Sequence, residues 1–398
     1  MFEFRRQPLW TVYVIYFVLS TFFVRVPIWV VTALIPSSRP RRSWSISRSF
    51  IFPALRAALD GCFRISFPSS SKHDPEYVAT SEDAQKFNFT WCPSVPKDLL
   101  VGEVEEIAQR NGVELQKTYG YWFTRPGYSG AANGAAQSDE KVILHLHGGG
   151  YICASAHPKG GGNTVMTSGF FENCPSIARI FCGAYRLSTS VPFPSANPFP
   201  AALLDAAATY YYLLHAVGFR HEQVIISGDS AGGHLALALV RYLAIHQFPT
   251  LPVPGSLLLI SPTVDWAVTH TGKGSSMVRN ASSDYCNQFF AGHTKRCLPG
   301  TLPERDAATN AWISPTSLKL EDVEGLFKGL PKTYLLAGEA EICLDSYRTL
   351  RDRLSGDIGG NLTYNEVKDA THDFLTMSWH EPERSSAFKD IASWITAL

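Results

Sequence analysis

Ile225 to His234 reads IISGDSAGGH. An apolar run from Val224 to Ile226 leads into this stretch and another from Leu235 to Leu239 leaves it, so the spacing predicts a buried strand handing over to a helix through a tight turn. Within it, Gly228-Asp229-Ser230-Ala231-Gly232 fits the pattern G-x-S-x-G. A serine at the centre of such a turn takes a strained backbone conformation, and side chains two positions before and after it would strike the neighbouring strand and helix. Small residues fill many strand-to-helix turns, so the pattern alone leaves Ser230 either a reactive hydroxyl or a filler.

Upstream, His147-Gly148-Gly149-Gly150-Tyr151 directly follows the apolar stretch KVILHL. Glycines there allow backbone N–H groups to face a substrate oxygen. Gly149 and Gly150 are candidates to join the Ala231 N–H, at the start of the following helix, as oxyanion donors, with His147, Gly148 and Asp229 supporting the two turns. A phosphate-binding loop does not fit, because no lysine-serine pair follows the glycines. A reactive serine needs a base, and the base needs an orienting carboxylate. Of twelve histidines, His372 in DATHDF stands where the chain order serine, acid, histidine requires it. The acid is sought just beyond LPKTYLLAG, where Glu339, Glu341 and Asp345 crowd together. Glu341 is the first choice and Asp345 the alternative, with Glu339 either pointing away or supporting the loop by hydrogen bonding. Asp369 and Asp373, which flank the base, are expected to be exposed loop carboxylates.

From residue 140 onward, short apolar runs alternate with longer helical stretches. Strands are expected at Val142 to Leu146, Ser176 to Phe181, Val224 to Ile226, Ser256 to Ile260 and Thr333 to Ala337, and helices at Ala201 to Ala216, Gly233 to Ile245 and Ser346 to Leu354. That order argues for an α/β fold whose mostly parallel sheet is flanked by helices, with its site at the carboxyl ends of the strands.

With these residues assembled, the chain resembles the hormone-sensitive-lipase-like branch of the α/β-hydrolase superfamily from about residue 140 to the C-terminus. The likeness rests on HGGGY, on YRL at Tyr185 to Leu187 with PFPAALLDA at Pro198 to Ala206, on GDSAGG, on Ser261-Pro262, and on AGEAEICLD ahead of THDF. It implies Ser230 as nucleophile, His372 as base, Gly149, Gly150 and Ala231 as oxyanion donors, and, from the first position of E-I-C-L-D, Glu341 rather than Asp345 as the acid. The activity implied is hydrolysis of a carboxylic ester, without metal or organic cofactor. Two alternatives share the scaffold: a biosynthetic enzyme running eliminations or cyclisations, and a ligand-binding receptor. The sequence departs from the pattern in having Glu where many members have Asp, and in the long link STSVPFPSAN after YRL. An N-terminal anchor is characteristic of a fungal-looking subset similar to membrane-bound steryl acetate hydrolases and secondary-metabolite esterases. That resemblance implies a hydrophobic ester substrate, such as an acetylated sterol, terpenoid or polyketide.

The anchor is read from Leu9 to Val24, sixteen residues without a charge, followed by Arg25, Pro27 and a second apolar run to Ile35. As one helix, residues 9–35 would extend about 40 Å, enough to cross a hydrocarbon core of about 30 Å with tilt. A signal peptide fits less well, because the run exceeds the usual apolar core and no small-residue cleavage site follows. The organisation expected is a transmembrane anchor at 1–36, a linker and helical cap at 37–139, including a surface helix at Lys97 to Asn111, and a catalytic domain at 140–398. The protein is expected to be a single-pass membrane protein of the endoplasmic reticulum. Arg39, Arg41, Arg42 and Arg48 outweigh Arg5 and Arg6, which favours a cytosolic catalytic domain, whereas N-x-[ST] sequons at Asn88, Asn280 and Asn361 fit a lumenal glycoprotein, so sidedness stays open.

Composition narrows the rest. Of 398 residues, 45% are hydrophobic and 18% charged, and 35 basic residues balance 35 acidic ones, which gives no footing for nucleic-acid binding. The eight cysteines form no C-x-x-C pair and no cluster with metal-ligand spacing, so structural zinc is not expected. Cys286 and Cys297 either close a short loop as a disulfide or stay as buried thiols. Oligomeric state is not legible.

Overall fold

A computed structural model describes residues 1–66, 75–303 and 306–398. Eight strands form one sheet: β1 (Phe89–Cys92), β2 (Thr118–Thr124), β3 (Lys141–Leu146), β4 (Ile177–Gly183), β5 (Val224–Asp229), β6 (Ser256–Ile260), β7 (Lys332–Gly338) and β8 (Leu362–Val367). Their order across the sheet is β1-β2-β4-β3-β5-β6-β7-β8. The pairs β1/β2 and β2/β4 are antiparallel and all others parallel. This is the α/β-hydrolase fold.

The central strands are buried on both faces, which is why VIISGD and SLLLI read as unbroken apolar runs rather than alternating ones. Side chains still alternate between two cores. Val142, Leu144 and Leu146 of β3, with Leu257 and Leu259 of β6, pack under helices Ala201–His215, Ala231–His246 and Leu344–Ile358. Ile143, Leu258 and Ile260 face the other way, toward helices Gly161–Asn173 and Glu383–Thr396.

The five expected strands and three expected helices are present with small shifts of boundary. Two of the additional strands, β1 and β2, come from the stretch assigned above to linker and cap, so the sheet begins before residue 140. The surface helix expected at Lys97 to Asn111 is a 3-10 turn, Lys97–Leu99, and an α-helix, Gly102–Asn111, capped by Gly112 in the left-handed conformation.

The N-terminal apolar stretch is a continuous helix, Leu9–Leu34. Its middle turn, Thr21–Arg25, is widened to a π-helical one. Pro27 lacks an N–H and its ring presses on the carbonyl four residues back, and the wider turn accommodates both without breaking the helix. Within the stretch assigned above to linker and helical cap, Ile46–Ile65 is a second long helix, started by the Ser45 hydroxyl accepting from the Arg48 N–H. This helix lies over the sheet's carboxyl end, with Phe63 edge-on to Phe289 at 4.9 Å and Phe52 6.1 Å from Tyr285.

Candidate functional site

Register brings the motifs together. Leu146 at the end of β3 pairs with Gly228 near the end of β5, so the HGGGY loop and the serine turn emerge side by side. Ser230 has φ +51°, a left-handed conformation that costs a non-glycine residue about 1–3 kcal/mol. Flanking glycines make the turn feasible: a Cβ on Gly228 would collide with the Gly232 carbonyl, and one on Gly232 with the carbonyls of Leu146 and His147. Asp229 ties the two loops, its Oδ1 accepting the Gly148 N–H at 3.0 Å.

Ser230 Oγ lies 2.8 Å from His372 Nε2, and His372 Nδ1 lies 2.7 Å from Glu341 Oε2. With Nδ1–H donated to the carboxylate, Nε2 is left to accept from the serine hydroxyl. Glu341 is fully buried. Its Oε1 accepts from the Gly338 N–H at 2.6 Å and the Ser261 hydroxyl at 2.7 Å, while Tyr347 donates to Oε2 at 2.7 Å. Four donors including the imidazole therefore fix the carboxylate, which is what allows a bare acid to sit in the core. Asp345 is elsewhere, accepting from the Ser276 N–H and Arg279. Glu339 does support the loop, through the Asp369 N–H.

Gly149 (φ +105°), Gly150 (φ +62°) and Tyr151 (φ +62°) form a left-handed run. A Cβ on Gly149 would meet the Cys153 carbonyl, and one on Gly150 would strike the Phe289 ring. His147 Nδ1 donates to the Gly148 carbonyl at 2.7 Å, its ring stacks on Tyr185 at 4.3 Å, and burial pushes the imidazole down to about 4, so it stays neutral. Arg186, beside that tyrosine, pairs with Asp205 at 2.9 Å, which explains why YRL and PFPAALLDA occur together. In the long link after YRL, Thr189 bridges to Ala196 and Phe193 packs against Phe2 at 5.1 Å.

Several neighbours escaped the sequence reading. Asp373, expected at the surface, is buried: its Oδ2 is 3.2 Å from His372 Nε2, the atom that also faces Ser230, and its Oδ1 has no hydrogen-bond partner among the described residues. Burial pushes the Asp373 carboxyl up to about 7 against the pull of His372. Burial is the largest single influence on His372 and disfavours its charged form, but attraction to its neighbours together, the Asp373 carboxylate foremost, raises the imidazole above its ordinary value. Asp369 is partly buried through Arg41 and Ser43. Thr263 Oγ1 is 3.2 Å from Ser230 Oγ.

Cys286 and Cys297 are not joined; Cys297 instead faces His293 Nε2 at 3.4 Å, and all eight cysteines are free thiols. The Asn280 sequon is also corrected: its amide is buried, donating to the carbonyls of Glu339 and Glu341 and accepting from Arg41, so it cannot carry a glycan in this fold. Asn88 and Asn361 are exposed. Asp284, Glu341 and His372 each bring one atom able to ligate a metal within 4.8 Å of the others. Those atoms are already engaged, Glu341 with His372 and Asp284 with the N–H groups of Ile342 and Cys286.

Comparison with known proteins bears on the fold and the family. A family model described as alpha/beta hydrolase fold matches residues 143–376. An acetyl-hydrolase of Streptomyces hygroscopicus is 28% identical over 250 residues, covering 62% of this chain and 71% of that protein. An esterase of Acinetobacter venetianus is 27% identical over 275 residues, covering 68% and 80%. Among solved structures, a hormone-sensitive lipase from a metagenome library superposes with a TM-score of 0.54 at 27% identity, covering 70% of this chain and 82% of that one. With the serine turn, the glycine loop and the histidine loop all inside the matched span, the chain belongs to the α/β-hydrolase fold family, in its hormone-sensitive-lipase-like branch.

Proposed function

We propose that the protein is a serine carboxylic-ester hydrolase that removes a short acyl group, such as acetyl, from a hydrophobic alcohol of sterol, terpenoid or polyketide type. The observation that carries this is the continuous chain Ser230–His372–Glu341, with contacts of 2.8 and 2.7 Å, on a serine held at φ +51°. His372 Nε2 removes the Ser230 proton as Oγ attacks the ester carbonyl. Charge that develops on the carbonyl oxygen is held by the N–H groups of Gly149, Gly150 and Ala231, each donor worth about 2.7–4 kcal/mol in the transition state. Collapse breaks the bond to the alcohol, which leaves with the proton from His372. Water, deprotonated by the same nitrogen, then attacks the acyl carbon and releases the acid and Ser230. Glu341 orients the ring and stabilises its charged form.

The acetyl preference draws on the relatives named acetyl-hydrolases, and the apolar alcohol on the phenyl rings over the site together with the exposed apolar helix, which we assign to membrane attachment. A fluorophosphonate probe tests the nucleophile: labelling should vanish in Ser230→Ala, and undiminished labelling removes Ser230 from the role. Rates on p-nitrophenyl esters of rising chain length test the acyl preference, which fails if octanoate outruns acetate.

A further inference from the structure

The helix Leu9–Leu34 is long and apolar enough to cross a bilayer, yet both of its ends are fastened to one domain. On the upstream side, Phe2 is buried, its N–H donates to the Phe63 carbonyl at 2.7 Å, and its ring lies 5.1 Å from Phe193 and 5.2 Å from His293. On the downstream side, Arg41 donates to Asn280 at 2.7 Å and to the Glu339 carbonyl, and the buried Trp44 donates to the Asp369 carbonyl at 2.9 Å. Between these docks the helix Ile46–Ile65 returns antiparallel to it. Trp29 meets Phe50 at 6.3 Å near one end, and Phe17 closes on Gly61 near the other.

A helix that spans a bilayer must place its ends on opposite sides of about 30 Å of hydrocarbon. Here the two ends meet the same catalytic domain, through groups as polar as Asn280 and the backbone carbonyls of Glu339 and Asp369. Crossing would require undocking one of them.

We propose that Leu9–Leu34 lies in the plane of a single leaflet, making the protein monotopic, with its N-terminus and catalytic domain on the same side of the membrane. This deepens the membrane attachment proposed above and rests on it. Large apolar side chains, among them Val12, Ile15, Leu19, Phe22, Phe23 and Val31, stand more than half exposed and form the lipid-facing surface. Arg6 before the helix and Arg42 after it are exposed, as expected of residues placed among anionic headgroups. Arg25, which a crossing helix would carry into hydrocarbon, instead turns inward. Its guanidinium stacks on Phe17 at 4.8 Å, in a groove of about 360 Å³ shared with Arg56, Asp60 and Arg64.

The test uses the full-length protein in sealed membrane vesicles, comparing Gln7→Cys, Arg42→Cys and Glu222→Cys with the unsubstituted chain as background. A membrane-impermeant maleimide should reach all three positions from one and the same side, and detergent should not change which of them react relative to one another. Labelling of position 7 from the side opposite to position 222 would overturn the in-plane placement while leaving membrane attachment intact. Release of the protein from vesicles by high salt would overturn attachment itself, and a mature chain lacking position 7 would identify the helix as a removed signal. Ester hydrolysis measured on the same vesicles reports on the enzymatic reading separately.

Discussion

Glu341 and Asp373 put two buried carboxylates on opposite nitrogens of one imidazole, and their consequences differ. Glu341 accepts from Nδ1 and fixes the tautomer, so Glu341→Gln should lower kcat by about 10⁴-fold with little change in fold, measured as steady-state hydrolysis alongside circular dichroism. Asp373 stands at Nε2, where its anion favours the imidazolium form that cannot accept the serine proton. Because the base must be neutral, a raised His372 pKa places the acid limb of kcat/KM at higher pH. Asp373→Asn removes that anion, and asparagine tolerates the left-handed φ of +49° at this position. The acid limb of the pH profile should therefore move to lower pH; an unmoved limb would show that Asp373 does not influence the base. Of this residue-scale picture, Ser230, Glu341 and His372 were legible because chain order and turn chemistry leave traces in sequence. Asp373 was not, since an aspartate in a polar loop reads as solvated until the packing of Tyr285 and His372 around it is known.

Elements are joined by contacts too close for side chains. The serine turn sits so near the end of β3 that Gly232 has no room for a Cβ, and Gly232→Ala should cost about 1–3 kcal/mol of stability and abolish probe labelling by pushing the turn from the glycine loop. Arg186 and Asp205 link the chain after β4 to the helix Ala201–His215, with the carboxylate almost wholly buried. Removing the cation in Arg186→Ala would strand that charge, with an expected loss of about 3–5 kcal/mol seen as a lower thermal midpoint. The strands foreseen from sequence were the doubly buried ones, whose continuous apolar runs stand out. β1 and β2 were missed because they are antiparallel strands toward the sheet's edge, embedded in a stretch of polar turns and short helices.

For the molecule as a whole, the N-terminal arm closes over the site. Trp44 is the pin: fully buried, it packs on Phe52 at 5.0 Å and hydrogen-bonds the chain three residues before His372. Trp44→Ala should destabilise this docking by about 3–5 kcal/mol and expose Arg41 to trypsin while the sheet stays folded. Limited proteolysis with mass spectrometry measures it, and unchanged cleavage would mean that the arm is held elsewhere. Sequence by itself determined the parallel core, the serine turn, the chain order of Ser230, Glu341 and His372 and the presence of a long apolar helix, because each depends on periodicity or local backbone chemistry. Only the tertiary structure decided which carboxylates are buried against His372, that Cys286 and Cys297 stay apart, that Asn280 is sealed, and that both ends of the apolar helix dock on one domain. These outcomes depend on which distant segments share space, and spacing along a chain does not encode that.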